Sequence, residues 1–231
     1  MISIIFFGYN EEKFIKKSVT SIAENISHKN FEIIIVNDGS TDRTSKEIDK
    51  IYLEGIKITK INKLKNQGIA QAVYDGLSKA QGDLVSWLPS DGAYDVKSLG
   101  KFYDSCISKD HDLFIGYRSN KKKRVFTRFF LSEFLTFVLN LIFFKNKKDY
   151  NGVILVKKKL LNKIILPNHA SFQWVIIMQL LKRNVSNLEI PVEMVIPEPG
   201  DGSSAMNIRT YLSYFFSLLK LIKIILFKKN D

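Results

Sequence analysis

Three short polar clusters in the first half of the chain carry residue types suited to binding a charged ligand. They are Tyr9-Asn10-Glu11, Asn37-Asp38-Gly39 and Ser90-Asp91-Gly92. Carboxylate oxygens are ligands for Mg²⁺, which often takes only one or two of them and completes its shell with phosphate and water. The single acid of the third cluster, Asp91, could therefore hold a metal. The alternative is that the clusters are ordinary polar turns and that Asp91 caps the following helix.

The elements around these clusters alternate between apolar runs and helical patterns. Four runs are typical of buried strands, at 2–7, 31–36, 56–61 and 83–88, and helical spacing lies between them, at 12–26, through Ile48 and Ile51, and at 69–80. Such alternation predicts a parallel, doubly wound sheet. Ligands bind beyond the carboxyl ends of the strands in these sheets. We therefore expect the three clusters to meet at one edge.

The second half is less regular. We predict strands over 112–118, 153–156 and 188–196, a helix over 171–182, and a long apolar segment over 125–144. No internal repeat and no linker rich in Pro or Ser marks a domain boundary, so a single domain is expected.

The charge of the chain points to an anionic partner. Lys and Arg outnumber Asp and Glu by 35 to 23, which gives a net charge of +12. Nucleic acid, a membrane surface or a phosphorylated ligand would fit. We expect no nucleic-acid binding, because the lysines accompany apolar segments and not interleaved stacking aromatics. Cys106 is the only cysteine, so no intrachain disulfide can form and a reducing compartment is expected.

Two apolar segments predict contact with a membrane surface. If 211–227 is helical, Ser213, Ser217, Lys220 and Lys223 share one narrow stripe and the remaining positions are largely apolar. The 125–144 segment is similar, with Arg128, Ser132 and Thr136 at four-residue spacing. Both contain charged residues, so neither is expected to span a bilayer. We predict interfacial binding to an anionic leaflet. The alternative is that these segments pack on the protein or in an oligomer. The sequence does not indicate the oligomeric state.

Several motifs resemble those of family 2 glycosyltransferases. "GYNEE", "IIIVNDGSTDRT", "KNQGIAQAVYDGLSKAQGD" and an acidic turn after the fourth strand occur in that family's order. The later "GYR", "DYNG" and "EIPVE…GDGSS" resemble the subgroup that builds polyprenyl-phosphate sugars. The resemblance implies an α/β GT-A fold with a mixed central sheet flanked by helices. It implies one domain over 1–205, with a nucleotide-sugar half (1–118) and an acceptor half (119–205), before an amphipathic helix at 206–231.

The resemblance also implies roles for individual residues. Asp38 would contact the nucleotide base, and Asp91 would carry Mg²⁺ or Mn²⁺ on the diphosphate of a UDP- or GDP-linked sugar. The other residues expected to line the nucleotide sugar are Gly8, Tyr9, Asn10, Glu11, Gly39, Asn66, Gly68 and Ser90.

Departures from the family pattern refine these expectations. Pro89 stands where the family's Asp-x-Asp has its first acid, so the metal should bind weakly until the substrate arrives. No acid occurs in 169–177, where hydroxyl-directed members carry a base. A phosphate monoester is already anionic and needs no base. The missing acid therefore favours a lipid phosphate acceptor, bound by Arg118 with Arg124 and Arg128 as further candidates.

The predicted function is thus that of an inverting hexosyltransferase. It would move a sugar from a nucleotide sugar to a polyprenyl phosphate in cell-envelope polysaccharide synthesis, as a peripheral protein at the cytoplasmic face of the membrane. One alternative is transfer to a hydroxyl of a lipid-linked or surface glycan, with Glu189, Asp149 or His169 as the base. Another is a non-catalytic module that binds nucleotide sugar or membrane.

Overall fold

The computed structural model describes residues 1–28, 30–121, 126–162, 164 and 172–195. Its centre is one seven-stranded sheet with the order β3-β2-β1-β4-β6-β5-β7. The strands are β1 (Ile2–Gly8), β2 (Phe31–Asn37), β3 (Ile58–Asn62), β4 (Leu84–Pro89), β5 (Leu113–Arg118), β6 (Ile154–Lys157) and β7 (Asn187–Val192). The helices are α1 (Ile15–Asn25), α2 (Thr44–Asp49), α3 (Ile69–Lys79), α4 (Val96–Ile107), α5 (Phe126–Phe143) and α6 (Phe172–Lys182), and a 3₁₀ turn covers Lys158–Leu161.

The sheet is mixed because one strand is reversed. Strands β1 to β4 pair in parallel, whereas β6 is antiparallel to both of its neighbours, β4 and β5. Two reversals leave β5 parallel to β4, and β7 is parallel to β5. All strands except β6 therefore end at the same side, which we call the carboxyl edge. It contains Gly8, Asn37, Pro89, Arg118 and Val192. The α/β class with a mixed sheet flanked by helices is as predicted.

The core forms two layers, one on each face of the sheet. Along β1, Ile4 and Phe6 face a layer that includes residues of α1, α2 and α4, while Ile5 and Phe7 face a layer built with α3 and α6. This alternation follows from the two-residue period of a strand. Both faces are covered by helices, which explains why β1, β2 and β4 are near-continuous apolar runs.

Three elements show the clearest differences from the sequence prediction. Helix α1 begins at Ile15, since residues 11–14 form a turn in which Phe14 donates to the Glu11 carbonyl. Strand β7 ends at Val192, because 193–195 pair instead with 93–95. Helix α4 was not predicted, although its start was marked by Asp95 and its buried face repeats at helical spacing through Leu99, Phe102, Tyr103 and Cys106.

Some predictions concern residues or side chains outside the described part. These are the helix over 206–231, the segment 196–205, His169, and the side chains of Arg124 and Arg128. Among the described residues, no helix has the combined length and apolar content that crossing a bilayer requires.

Candidate functional site

The three polar clusters meet at the carboxyl edge, as the strand pattern predicted. The Gly8 carbonyl accepts a hydrogen bond from the Asp38 amide at 2.9 Å, and the Ser90 amide donates to the Phe7 carbonyl at 3.0 Å. The buried Ser90 hydroxyl also donates to the Phe7 carbonyl, at 2.9 Å. A Cβ on Gly8 would lie 2.2 Å from the Ser90 Oγ atom, so only glycine permits this packing. The geometry favours a role for Ser90 in shaping the edge over direct contact with a nucleotide.

The loops after β1 and β2 are joined by hydrogen bonds. The Asn10 amide donates to the Ser40 hydroxyl at 2.9 Å, and the Thr41 amide donates to the Asn10 side-chain oxygen at 2.9 Å. Asn10 adopts a φ of 59°, a left-handed conformation that asparagine tolerates better than most residues. The Glu11 amide donates to the Thr44 hydroxyl at 2.8 Å. Tyr9, which directly precedes these tethered residues, is 44% exposed, so a ligand can reach it.

Asp38 lies buried beneath the loop that precedes α3. Its carboxylate accepts from the amides of Gln67 at 3.1 Å and Gly68 at 2.8 Å, and it pairs with the Lys63 ammonium at 2.7 Å. Lys63 also pairs with Asp75 at 3.2 Å. A carboxylate offers roughly four acceptor positions, so about one remains for a donor on a ligand. Asp38 therefore positions the predicted nucleotide loop, and its contact with the base stays a prediction.

The 63–68 loop packs tightly on the turn after β2. Gly39 has a φ of 73°, and a Cβ there would lie 2.3 Å from the backbone carbon of Lys65. Asn66 accepts from the Gly68 amide through its side chain at 3.1 Å. Gly68 has a φ of 90° and open space where a Cβ would point. The loop thus presents an open backbone surface beside the buried Asp38.

Asp91 does not cap the following helix. The cap is Asp95, whose carboxylate accepts from the Ser98 amide at 2.8 Å. Asp91 accepts only a local bond from the Ala93 amide at 3.0 Å among the side-chain hydrogen bonds described, and it is exposed at the edge. The alternative interpretation of Asp91 as a helix cap is therefore wrong, and its carboxylate is available to a ligand.

The Asp91 turn is supported from both sides. The Ser18 hydroxyl of α1 donates to the Ser90 carbonyl at 3.0 Å, and Gly92 lies against the Phe14 ring. On the other side, the Val195 amide donates to the Ala93 carbonyl at 2.9 Å. Sequence reasoning missed these supports, since they join segments that are far apart in the chain.

The acids at the edge repel one another. Burial raises the pKa of Glu11 to about 7, and the charges of Asp91 and Asp42 contribute to that rise. Surrounding protein atoms remove part of the water around the Asp91 carboxyl and raise its pKa, although the residue as a whole remains exposed. A divalent cation would relieve this repulsion. The described residues contain no group of three or more His, Cys, Asp or Glu side chains placed to hold a metal. Metal binding by Asp91 stays a prediction.

Arg118 ends β5 at the edge, but its guanidinium is already paired. Its Nε and Nη2 atoms donate to the two Asp149 oxygens at 2.6 Å and 2.9 Å, and Nη2 also donates to the Ser132 hydroxyl at 2.8 Å. Burial would raise the pKa of Asp149, but the charge and hydrogen bonds of Arg118 hold it below its usual value. Direct phosphate binding by Arg118 would require this pair to open. The geometry favours a positioning role.

The two described candidates for a catalytic base are committed elsewhere. Asp149 is fully buried in its pair with Arg118. Glu189 lies within β7, accepts from the Lys148 amide at 2.8 Å and pairs with Lys147 at 3.8 Å. Neither carboxylate is a free acceptor for a proton at the edge, which weakens the hydroxyl-acceptor alternative.

Comparison with known proteins identifies the family. The model of Glycosyl transferase family 2 matches residues 3–165. The chain belongs to this family. Among curated relatives, glycosyltransferase GlyG of Streptococcus pneumoniae is 29% identical over 116 residues, which cover 50% of this chain and 38% of GlyG. Dolichol-phosphate mannosyltransferase of Pyrococcus furiosus is 24% identical over 229 residues, covering 96% of this chain and 64% of that protein. The chain thus spans less than two thirds of either relative.

A solved structure shares the fold over the whole chain. Glucosyl-3-phosphoglycerate synthase from Mycobacterium tuberculosis, in complex with Mn²⁺, UDP and glucosyl-3-phosphoglycerate, superposes with a TM-score of 0.72 at 12% identity. The match covers 100% of this chain and 81% of the synthase. The chain therefore has the GT-A fold that the motifs implied.

Proposed function

We propose that this chain transfers a sugar from a UDP- or GDP-linked donor to a polyprenyl phosphate, with inversion, at the cytoplasmic surface of a membrane. The proposal depends on which carboxylates are available to a ligand and which are held in structural contacts. Asp91 and Glu11 lie beside the loops predicted to bind the donor and are left for a cation. Asp149 and Glu189 are held in structural contacts.

The donor half is built to hold a nucleotide in one orientation. Asp38 is fixed by Gln67, Gly68 and Lys63 and keeps capacity for one base N–H. Asn10 and Glu11, which are tethered to the loop after β2, would border the ribose. Because these loops are hydrogen-bonded to one another before the ligand arrives, little ordering entropy remains to be lost on binding.

Asp91 would hold Mg²⁺ or Mn²⁺, with Glu11 close enough to share the charge. When bound, the cation offsets the negative charge that grows on the departing diphosphate. Since Pro89 replaces a second acid, the diphosphate must supply further ligands. Metal and nucleotide sugar should therefore bind together.

The acceptor is the finer part of the proposal. An oxygen of the lipid phosphate attacks the anomeric carbon, a new carbon–oxygen bond forms, and the bond to the diphosphate breaks, so that UDP or GDP leaves. The phosphate is already anionic near neutral pH, and no proton has to be removed. This matches the absence of a free base among the described acceptor-side residues Asp149 and Glu189. The likeness to a dolichol-phosphate mannosyltransferase supports the same acceptor class.

The test is transfer of radiolabelled sugar from a panel of UDP and GDP sugars to undecaprenyl phosphate in the presence of Mn²⁺. We expect one donor to be used, activity to be lost in Asp91→Ala, and activity to persist in Asp83→Ala, a side chain 93% exposed at the opposite edge. Failure with every donor, or equal activity in Asp91→Ala and wild type, would contradict the proposal. Transfer only to a lipid-linked glycan would favour the hydroxyl acceptor.

A further inference from the structure

Helix α5 and the residue that follows it carry a row of exposed aromatic and aliphatic side chains. Phe130, Phe134, Phe137, Leu141 and Phe144, which we call the aromatic stripe, are 59%, 56%, 63%, 64% and 93% exposed. The first four lie at spacings of four, three and four residues, which places them within an arc of about 60° on a helix. Contiguous exposed apolar surface of this kind marks an interaction site.

Three polar side chains of α5 face the other way, into the protein. The Ser132 hydroxyl accepts from Arg118 at 2.8 Å, Thr136 is buried, and Asn140 accepts from the Tyr150 hydroxyl at 2.7 Å. The sequence pattern had placed Ser132 and Thr136 on a polar stripe without settling which way it faces. The inward face thus combines these polar side chains with the buried Leu139, while the outward face is largely apolar, unlike that of an ordinary surface helix. The exposed part of its outward face, at Phe134, Phe137 and Leu141, is open to a partner.

The charge around the stripe distinguishes between partners. The helix is bracketed in the sequence by "KKKR" (121–124) and "KNKK" (145–148), and the chain carries a net charge of +12. Lys121 and Lys147 are ion-paired with Glu133 and Glu189, so the other basic residues of the two clusters carry the argument. Two copies joined through this face would bring like-charged clusters together. An anionic bilayer interface takes up aromatic side chains and attracts flanking lysines at once.

We infer that the aromatic stripe inserts into the interface of an anionic lipid bilayer. Near its start, α5 touches Arg118 at the carboxyl edge. Near its end, Asn140 accepts from the Lys147 amide, and Lys147 contacts Asn187 at the amino end of β7. The stripe therefore runs from the carboxyl edge, at its Phe130 end, toward the amino end of β7. This inference rests on the proposed function for its purpose, which is to present lipid phosphates to that edge.

The test uses the full chain with one reporter and two paired variants. Both natural tryptophans, Trp87 and Trp174, are buried, so Phe137→Trp adds an exposed one. Its fluorescence should shift to shorter wavelength and be quenched by brominated acyl chains in phosphatidylcholine vesicles containing roughly one-third phosphatidylglycerol. In co-sedimentation, Phe134→Ser with Phe137→Ser should weaken vesicle binding at least about tenfold. The control, Tyr52→Ser with Tyr74→Ser, removes side chains 79% and 56% exposed on other elements and should bind as wild type.

Three results would overturn the inference. The first is unchanged vesicle binding by the double Phe variant. The second is an emission of the Phe137→Trp reporter that is already shielded without lipid, which means that the chain itself covers the stripe. The third is a wild-type dimer in sedimentation equilibrium that the double Phe variant, but not the Tyr control, converts to monomer.

Transfer to a water-soluble, short-chain polyprenyl phosphate separates this inference from the proposed function. The double Phe variant should retain that reaction and lose transfer to vesicle-bound acceptor. If the wild type itself fails with the soluble acceptor, the proposed function fails, whatever the vesicles show.

Discussion

Asp149 holds Arg118 in a two-pronged ion pair at the carboxyl edge, with nitrogen–oxygen distances of 2.6 Å and 2.9 Å. Asp149 is completely buried, and Arg118 is nearly so. The pair joins the end of β5 to the segment that leads into β6, and through Ser132 it joins both to α5. One ion pair thus connects the acceptor side of the edge to the helix that carries the aromatic stripe.

Removing one partner of this pair should be costly. Asp149→Ala leaves a buried guanidinium unpaired, and we expect a loss of about 3–5 kcal/mol in the free energy of unfolding. Urea denaturation measures it. The control Asp83→Ala removes an exposed carboxylate and should cost no more than about 0.5 kcal/mol. Equal losses in the two variants would show that the pair is not a stabilising contact.

Two nearby aspartates should separate metal binding from helix capping. Asp91→Ala should abolish the gain in UDP or GDP affinity that Mn²⁺ provides, with little change in stability, because Asp91 is exposed. Asp95→Ala should cost about 1 kcal/mol of stability through loss of the cap and leave the Mn²⁺ effect intact. Isothermal titration calorimetry and thermal unfolding distinguish them. If Asp91→Ala instead lowered stability and kept the Mn²⁺ effect, Asp91 would have a structural role.

Glu11 should make stability depend on pH in an unusual direction. Its folded pKa is about 7 against an ordinary 4.5, so the unfolded chain loses this proton first as the pH rises. Glu11 therefore lowers the free energy of unfolding progressively as the pH rises from 4.5 to about 7, and its contribution stays constant at higher pH. In metal-free buffer, Glu11→Gln should stabilise the protein more at about pH 8 than at about pH 5.

The neighbouring acid provides the comparison for this prediction. Hydrogen bonds from the Arg43 amide and side chain lower the pKa of Glu12, so its contribution has the opposite sign and is lost as the pH falls. Urea denaturation of Glu12→Gln should therefore show no relative gain at the higher pH. A Glu11→Gln effect that is independent of pH would mean that Glu11 is not held at a raised pKa.

Two glycines with nearly the same backbone angle should differ in their tolerance of alanine. Gly39 has a φ of 73° and would clash with the Lys65 backbone, whereas Gly55 has a φ of 72° and open space around it. Gly55→Ala should cost about 1 kcal/mol from backbone strain alone. Gly39→Ala should cost at least about 2 kcal/mol in urea denaturation and weaken nucleotide binding, since the 63–68 loop must shift. Equal costs would indicate that the loop moves freely.

Much of the fold was predictable because its signals are local. The strands are short apolar runs, and the polar clusters at their carboxyl ends converge as parallel pairing requires. The reversed β6 could be inferred only from the family resemblance, since a four-residue apolar run does not specify its neighbours or its direction. The Asp-x-x-Ser pattern at 95–98 is a local signal of a helix start that could have predicted α4.

The parts of the site that sequence reasoning missed depend on contacts between distant residues. Arg118 is a natural phosphate ligand by type, but its partner lies 31 positions away. Lys63 has no motif that marks it as the partner of Asp38. The outward direction of the aromatic stripe was also hidden, because Ser132, Thr136 and Asn140 are polar residues that the fold satisfies internally.

The position of β6 has a consequence for synthesis of the protein. In the sheet, β6 lies between β4 and β5. Neither strand can pair with β6 until residues 154–157 have left the ribosome. Until then β4 has an unpaired edge, which is a template for pairing with other chains. Strand β4, which precedes Asp91, therefore gains its second neighbour only when β6 arrives from the predicted acceptor half. A nascent or truncated chain ending near Arg118 should depend on chaperones or aggregate.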